Sequence, residues 1–112
     1  MKKENLYFGH YYDIEGIYIL KIGTTNNLER RRKEHTHNYH KNKLHPMPLD
    51  MEFVYDAVIP LSKYNTLRYE DKIREQLKSE GIGEYIRNDR FLCKDKPNKI
   101  TFKIRKLHEI TL

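Results

Sequence analysis

Lys21, Arg31, His35, Glu70 and Tyr11 are the side chains that sit oddly for a plain scaffold. Lys21 ends a strand-like stretch. Arg31 and His35 stand at i and i+4 of one helix, so they share a face. Glu70 lies on or beside the apolar stripe of a later helix. Tyr11 lies on a first strand, where it can come near Lys21 across a hairpin. Brought together, these groups supply a carboxylate, cations, an imidazole and a phenol, and hydrolysis of a phosphodiester uses that set. A carboxylate holds a divalent metal that shields phosphate charge and activates water. An arginine grips a non-bridging oxygen and offsets charge that grows in the transition state. A phenol or imidazole takes the proton of the attacking water.

The elements that position these residues are legible in the pattern. Leu6 to Tyr12 is aromatic-rich, Asp13-Ile14-Glu15-Gly16 supplies a turn, and Ile17 to Ile22 returns, so residues 5–24 read as a β-hairpin. Glu4-Asn5-Leu6-Tyr7-Phe8-Gly9 resembles a tag-removal protease site without its glutamine, but it runs unbroken into the strand pattern and is read as part of the fold. Thr25 or Asn26 can cap a helix from about Asn27 to His35 or beyond, with Glu29 at capping-box distance from Asn26. Leu28 is its only aliphatic residue, so it docks by other means or faces a polar ligand. A His-, Lys- and Asn-rich loop follows, then a strand from Met51 to Ile59 closed by Pro60. A helix from about Tyr64 to Glu80 carries Leu67, Glu70, Ile73 and Leu77. Asn88 to Cys93 reads as a short strand or turn. The alternation of Ile100, Phe102 and Ile104 reads as a further strand over 99–105. The expected class is α+β, one domain over 1–112.

Composition narrows the partners. The chain has 112 residues, 22 Lys+Arg against 16 Asp+Glu, and a net charge of +6, which points to a polyanion. No apolar run is long enough for a membrane span or a signal peptide, so an intracellular location, cytoplasmic or nuclear, and no membrane partner are expected. The single cysteine, Cys93, leaves no intrachain disulfide and no cysteine-based zinc site, and it is most simply a small apolar residue.

With these residues in view, the sequence resembles the GIY-YIG nucleases, in a small phage- or virus-type branch. Gly9-His10-Tyr11 looks like the first motif and Lys21-Ile22-Gly23 like the second, with lysine for its tyrosine. Nine residues separate Tyr11 from Lys21. Gly16-Ile17-Tyr18 spells the first motif but stands too close to Lys21 to be the opposite strand. Asn27-Leu28 through Arg31 to His35 resembles the family's Asn-Leu-x-x-Arg-x-x-x-His/Tyr helix. Tyr69-Glu70-x-x-Ile73-x-x-x-Leu77 resembles the helix bearing the metal-binding glutamate. Asn88-Asp89-Arg90-Phe91 resembles a closing segment of that branch.

The resemblance implies a central three-stranded antiparallel sheet flanked by helices, here with an extra C-terminal strand. It implies one Mg²⁺ or Mn²⁺ ion at Glu70 and hydrolysis of nucleic acid, DNA before RNA, leaving 5′-phosphate and 3′-hydroxyl ends. Arg31 would hold the scissile phosphate, Tyr11 would act as base with its pKa lowered by Lys21, and His35 would orient water or phosphate. Arg30, Arg32, Lys33, Lys41 and Lys43 would track the backbone, with Asn88 beside them. Thr24 stands where many relatives carry Lys or His. Double-strand cutting would need a homodimer, and target choice a partner.

Simpler readings compete at each position. Glu70 could pair with Arg74, Arg31 could belong to a solvated run, and Lys21 could snorkel from a sheet edge. Tyr7, Tyr12 and Tyr18 rival Tyr11, whose role could be packing, and Asn88 could be a turn residue. His35, His37, His40 and His45 admit a zinc site, but their spacing is loose and a solvated basic loop is the preferred reading. The alternative function is a catalytically silent nucleic-acid-binding domain on the same fold. A basic interaction protein with no nucleic-acid role is disfavoured by the motif spacing.

Overall fold

The hairpin forms because Asp13 replaces missing backbone partners at the turn. Its Oδ1 accepts from the N–H groups of Glu15 and Ile17, both at 2.9 Å, and Gly16 takes φ 81°, which costs glycine little. In the computed structural model, which describes residues 3–80, 83–87 and 90–93 with positions 99 and 102, strand β1 spans Lys3–Tyr12 and β2 spans Tyr18–Thr25. Their register pairs Tyr11 with Ile19, Gly9 with Lys21 and Tyr7 with Gly23, so all six share one face. Leu6, Tyr7 and Phe8 are fully buried; the tag-like segment is the middle of a strand that is paired on both sides.

Helix α1 spans Leu28–His40, strand β3 Val54–Ser62, helix α2 Lys63–Glu80, strand β4 Gly83–Arg87 and strand β5 Arg90–Cys93. The sheet order is β3-β1-β2-β5-β4, antiparallel at every pairing. The class is α+β, as expected, but the sheet has five strands rather than three. The three strands of the expected sheet are β3, β1 and β2; β5 falls in the segment read as a short strand or turn, and β4 extends the sheet beyond it. β4 escapes the sequence because Gly-Glu-Tyr-Ile-Arg is a short edge segment, exposed at Glu84, Tyr85 and Arg87, with no strong alternation. The expected C-terminal strand over 99–105 is corrected at the two positions described there: Lys99 and Phe102 have helical backbone. Pro60 does not close β3 but lies within it. β3 is an edge strand, where a residue without an N–H is tolerated.

The sheet buries both faces. Leu6, Phe8, Leu20 and Ile22 meet Ile73 and Leu77 of α2, with Tyr69 packed alongside. The stripe expected on α2 is therefore inward at Ile73 and Leu77; the side chain of Leu67 lies outside the described residues. On the opposite face Tyr7, Tyr11 and Ile19 meet Tyr39 of α1 and Met47 and Phe53 of the following loop. The Phe53 ring occupies the space a side chain at Gly9 would need, so the backbone of β1 is bare there for packing.

The polar helix α1 docks by rings and hydrogen bonds instead of aliphatic groups. Asn27 is its N-cap, accepting from the Arg30 N–H at 3.0 Å, one residue later than expected. The Tyr55 hydroxyl donates to the Leu28 carbonyl at 2.7 Å, and Thr36 Oγ1 accepts from the Phe53 N–H at 3.1 Å. The loop after α1 is tied to the hairpin: Met47 N–H donates to the Tyr39 carbonyl, and Ile14 N–H to the Pro46 carbonyl, each at 2.9 Å. Among the described residues no helix is long and apolar enough to cross a membrane.

Ile73 is fully buried between α2 and the sheet. Ile73→Ala is expected to cost about 2–5 kcal/mol of stability by removing buried methyl groups and leaving a cavity. Urea unfolding of both proteins at neutral pH measures it as a lower midpoint with an unchanged slope.

Candidate active site

Strand β5 pairs with β2 over Tyr18–Lys21, the last described pair being Lys21 with Arg90. Beyond it β2 continues through Ile22, Gly23 and Thr24, and at this end the two faces of the sheet come within reach of one cavity. A pocket of about 430 Å³ opens there, lined by Lys21, Gly23 and Thr24 of β2, Arg31 and His35 of α1, and Glu70 of α2, with Asn38, Tyr39, Asn42 and Arg90 completing the wall. Lys21, Arg31, His35 and Glu70 are thus brought together. Tyr11 is not among the lining residues.

Tyr11 stands four residues further along β1 than Tyr7, about 13 Å at strand rise. Its hydroxyl donates to the His45 carbonyl at 3.2 Å and accepts from Arg90 Nη1 at 3.0 Å. Its ring stacks on Tyr39 at 4.3 Å, and Tyr39 stacks on His35 at 5.3 Å with an interplanar angle of 2°. Tyr11 therefore anchors the stack that orients His35.

The phenol at the site is Tyr7. Its oxygen is 2.6 Å from His35 Nε2. Its ring lies across β2 at Gly23: a Cβ there would collide with the Tyr7 hydroxyl and lie 2.7 Å from Cζ. The glycine of Lys21-Ile22-Gly23 is therefore a spatial requirement of Tyr7. Sequence reasoning missed this because strand register decides which tyrosine faces the glycine, and register is set by the turn at Asp13–Gly16. Tyr7 stood among the rivals of Tyr11 on pattern alone.

Electrostatics fix the protonation of the pair. Burial pushes the Tyr7 phenol well above its ordinary pKa, although the nearby Arg31 guanidinium opposes this. Burial also lowers His35 from 6.5 to about 3, helped by the charges of Lys21, Arg31 and Arg90. At neutral pH the phenol keeps its proton and the imidazole is uncharged. We assign the hydrogen bond as Tyr7 O–H donating to His35 Nε2, with the imidazole proton on Nδ1. The expected easing of Tyr11 by Lys21 is corrected: burial raises Tyr11 as well, and the cation that opposes it is Arg90.

Arg31 is half-buried. Burial works against its cation, but Tyr7 and Glu34 outweigh that and its pKa stands above the ordinary value. One nitrogen bonds Glu34 at 3.2 Å, while its buried Nε has no hydrogen-bond partner among the described residues. An orphaned buried donor is costly and calls for an explanation. The other expected backbone contacts divide into two groups. Arg30 bonds Glu34 at 3.3 Å, Arg32 bonds Glu52 at 2.9 Å and Lys33 bonds Glu29 at 3.5 Å, so acids offset the outer face of α1. Lys41 and Lys43 line a second, adjoining pocket. Asn88 lies outside the described residues.

The histidine-rich loop is held by other bonds: His40 Nε2 donates to the Met51 carbonyl at 2.9 Å and His45 Nδ1 lies 3.1 Å from Asp13 Oδ2. Among the described residues no group of three or more His, Cys, Asp or Glu side chains forms a metal cage. Among the described residues, Glu70 is the one that brings a carboxylate to the pocket. That donor set does not suit zinc, but it fits Mg²⁺ or Mn²⁺, which is held by one or two carboxylates with water and phosphate oxygens filling the remaining positions.

The His35 shift has a consequence for stability. Below pH 6.5 the unfolded chain takes up a proton at this histidine that the native chain refuses until about pH 3. Native stability therefore falls with pH across that interval, by about 1 kcal/mol per pH unit from this group. His35→Gln is expected to lack this component. Urea unfolding at pH 7, 6, 5 and 4 checks it, the wild type losing stability more steeply than the variant.

Comparison of the chain with protein-family models, with curated proteins and with solved structures finds no match in any of the three.

Proposed function

We propose that this chain is a metal-dependent endonuclease of the GIY-YIG type, hydrolysing phosphodiester bonds in DNA to 5′-phosphate and 3′-hydroxyl ends. The observation that carries this reading is the Tyr7–His35 hydrogen bond of 2.6 Å set behind a pocket that also holds Lys21, Arg31 and Glu70. The cations favour a phosphate, the carboxylate suits a hard metal ion, and the phenol–imidazole pair can move a proton.

Arg31 and Lys21 attract the scissile phosphate, and Arg31 offers it charge-assisted hydrogen bonds. Tyr7 is fully buried in the free protein, with Arg31 and Gly23 next to its hydroxyl. In this reading, turning Arg31 outward onto phosphate uncovers the Tyr7 oxygen. A water placed against that oxygen gives up its proton to Tyr7 as Tyr7 passes its own to His35 Nε2; the water oxygen bonds phosphorus as the P–O3′ bond breaks, and the departing 3′ oxygen takes a proton from solvent. The phenol then never has to exist as a free phenolate, which its raised pKa would oppose. Burial is the larger reason His35 resists a proton and the cations add to it; the phosphate charge offsets the cations' share, so the imidazole becomes a better acceptor when substrate is bound. Glu70 would hold the metal, which supplies charge neutralisation at the phosphate.

The test is cleavage of supercoiled plasmid with Mg²⁺ or Mn²⁺ and with chelator. The wild type is expected to nick or linearise only with metal. Glu70→Ala and Arg31→Ala are each expected to lose about 10²-fold or more in rate. Absent cutting, with salt-sensitive DNA binding retained, would instead support a silent binding domain on this fold, and cutting that persists in chelator would overturn the metal-dependent reading.

A further inference from the structure

Arg90 is a buried cation that the proposed chemistry does not use. It is 6% exposed. Nη1 donates to the Tyr11 hydroxyl at 3.0 Å, Nε donates to the Arg87 carbonyl at 3.3 Å, and the guanidinium lies 5.4 Å from the Tyr39 ring centre. All of these partners are neutral while Tyr11 and Tyr39 keep their protons. No carboxylate among the described residues pairs with it. A guanidinium has five N–H donors, so three remain beyond these two bonds. Burying a cation without a counter-charge is expensive. Lys21, also buried, is its pairing partner across β2 and β5 and brings a like charge.

Arg90 is also where two cavities meet. It lines the pocket of Lys21, Arg31 and Glu70, and it lines a neighbouring one of about 340 Å³ with Lys41, Lys43 and Arg87. Asn38 and Asn42 of the α1 end are common to both walls. The two pockets form one cationic groove with Arg90 at the divide.

We propose that Arg90 grips the backbone phosphate next to the scissile one, and that a nucleic-acid strand runs from the catalytic pocket past Arg90 into the groove of Lys41 and Lys43. The identity of the scissile phosphate rests on the nuclease reading above; the anion subsite rests on Arg90 itself. Arg90 is a positioning residue that fixes the register of the strand. The guanidinium fork suits it, because two parallel N–H bonds orient a phosphate where an ammonium cannot. Tyr11 and Tyr39 hold the fork, which gives Tyr11 a part in strand placement.

The test is fluorescence anisotropy with an end-labelled 12-nucleotide DNA strand in chelator, across a salt series. The wild type is expected to bind with a steep dependence on salt. Arg90→Gln is expected to weaken binding and lower the slope of log affinity against log salt by about one. Because Arg90 is buried, thermal unfolding of the variant is measured beside it. The double variant Lys41→Ala/Lys43→Ala changes exposed groups only and is expected to lower the slope without moving the unfolding temperature. An unchanged slope in a folded Arg90→Gln, an unchanged slope in the lysine double variant, or no DNA binding by the wild type would overturn the proposal. A wild type that shows these slopes but never cuts would overturn the nuclease reading and leave the subsite standing.

Discussion

A neutral imidazole held among three cations is the constraint on which the site depends. Burial, helped by the charges of Lys21, Arg31 and Arg90, keeps a proton off His35. It persists there because Tyr7 satisfies Nε2 and Tyr39 stacks on its face. A buried polar network of this kind is stable only when each member finds its partner. Removing the phenol would leave the ring nitrogen bare, and removing the imidazole would leave a buried hydroxyl without an acceptor.

The sheet exists in this form to meet that constraint. The register of the β1–β2 hairpin sets Tyr7 opposite Gly23 and Gly9 opposite Lys21. Glycine at both positions makes room, at Gly23 for the Tyr7 hydroxyl and at Gly9 for the Phe53 ring. Phe53 in turn packs against Tyr7 and His35. The aromatic layer thus replaces the aliphatic core that α1 lacks. On the other face, aliphatic packing by Ile73 and Leu77 fixes α2 and so carries Glu70 to the pocket.

Much of this was legible in the residues. Aromatic and apolar strand residues located the hairpin and β3, and the spacing of Leu67, Ile73 and Leu77 located α2; α1, which has no apolar stripe, was legible from its capping residues instead. The spacing of Arg31 and His35 put both on one helix face, and both line the pocket. The tyrosine was not legible in the same way. Tyr7, Tyr11 and Tyr12 all lie on β1, and only pairing with β2 separates them. Arg90 gave no signal as a buried cation, since its burial depends on the stack of Tyr11 and Tyr39 from distant parts of the chain. The outer edge of the sheet was missed because β4 is short and exposed, a segment whose strand state comes from pairing with β5 rather than from its own composition.

In the proposed nuclease, Tyr7 and not Tyr11 is the phenol that moves the proton. Rates of metal-dependent plasmid cleavage by Tyr7→Phe and Tyr11→Phe, compared with the wild type at neutral pH and at saturating DNA, test it most directly. Tyr7→Phe is expected to lose about 10²–10⁴-fold in rate, and Tyr11→Phe to keep a near wild-type maximal rate. A Tyr7→Phe protein that cuts at the wild-type rate, or a folded Tyr11→Phe protein whose maximal rate collapses, would contradict it.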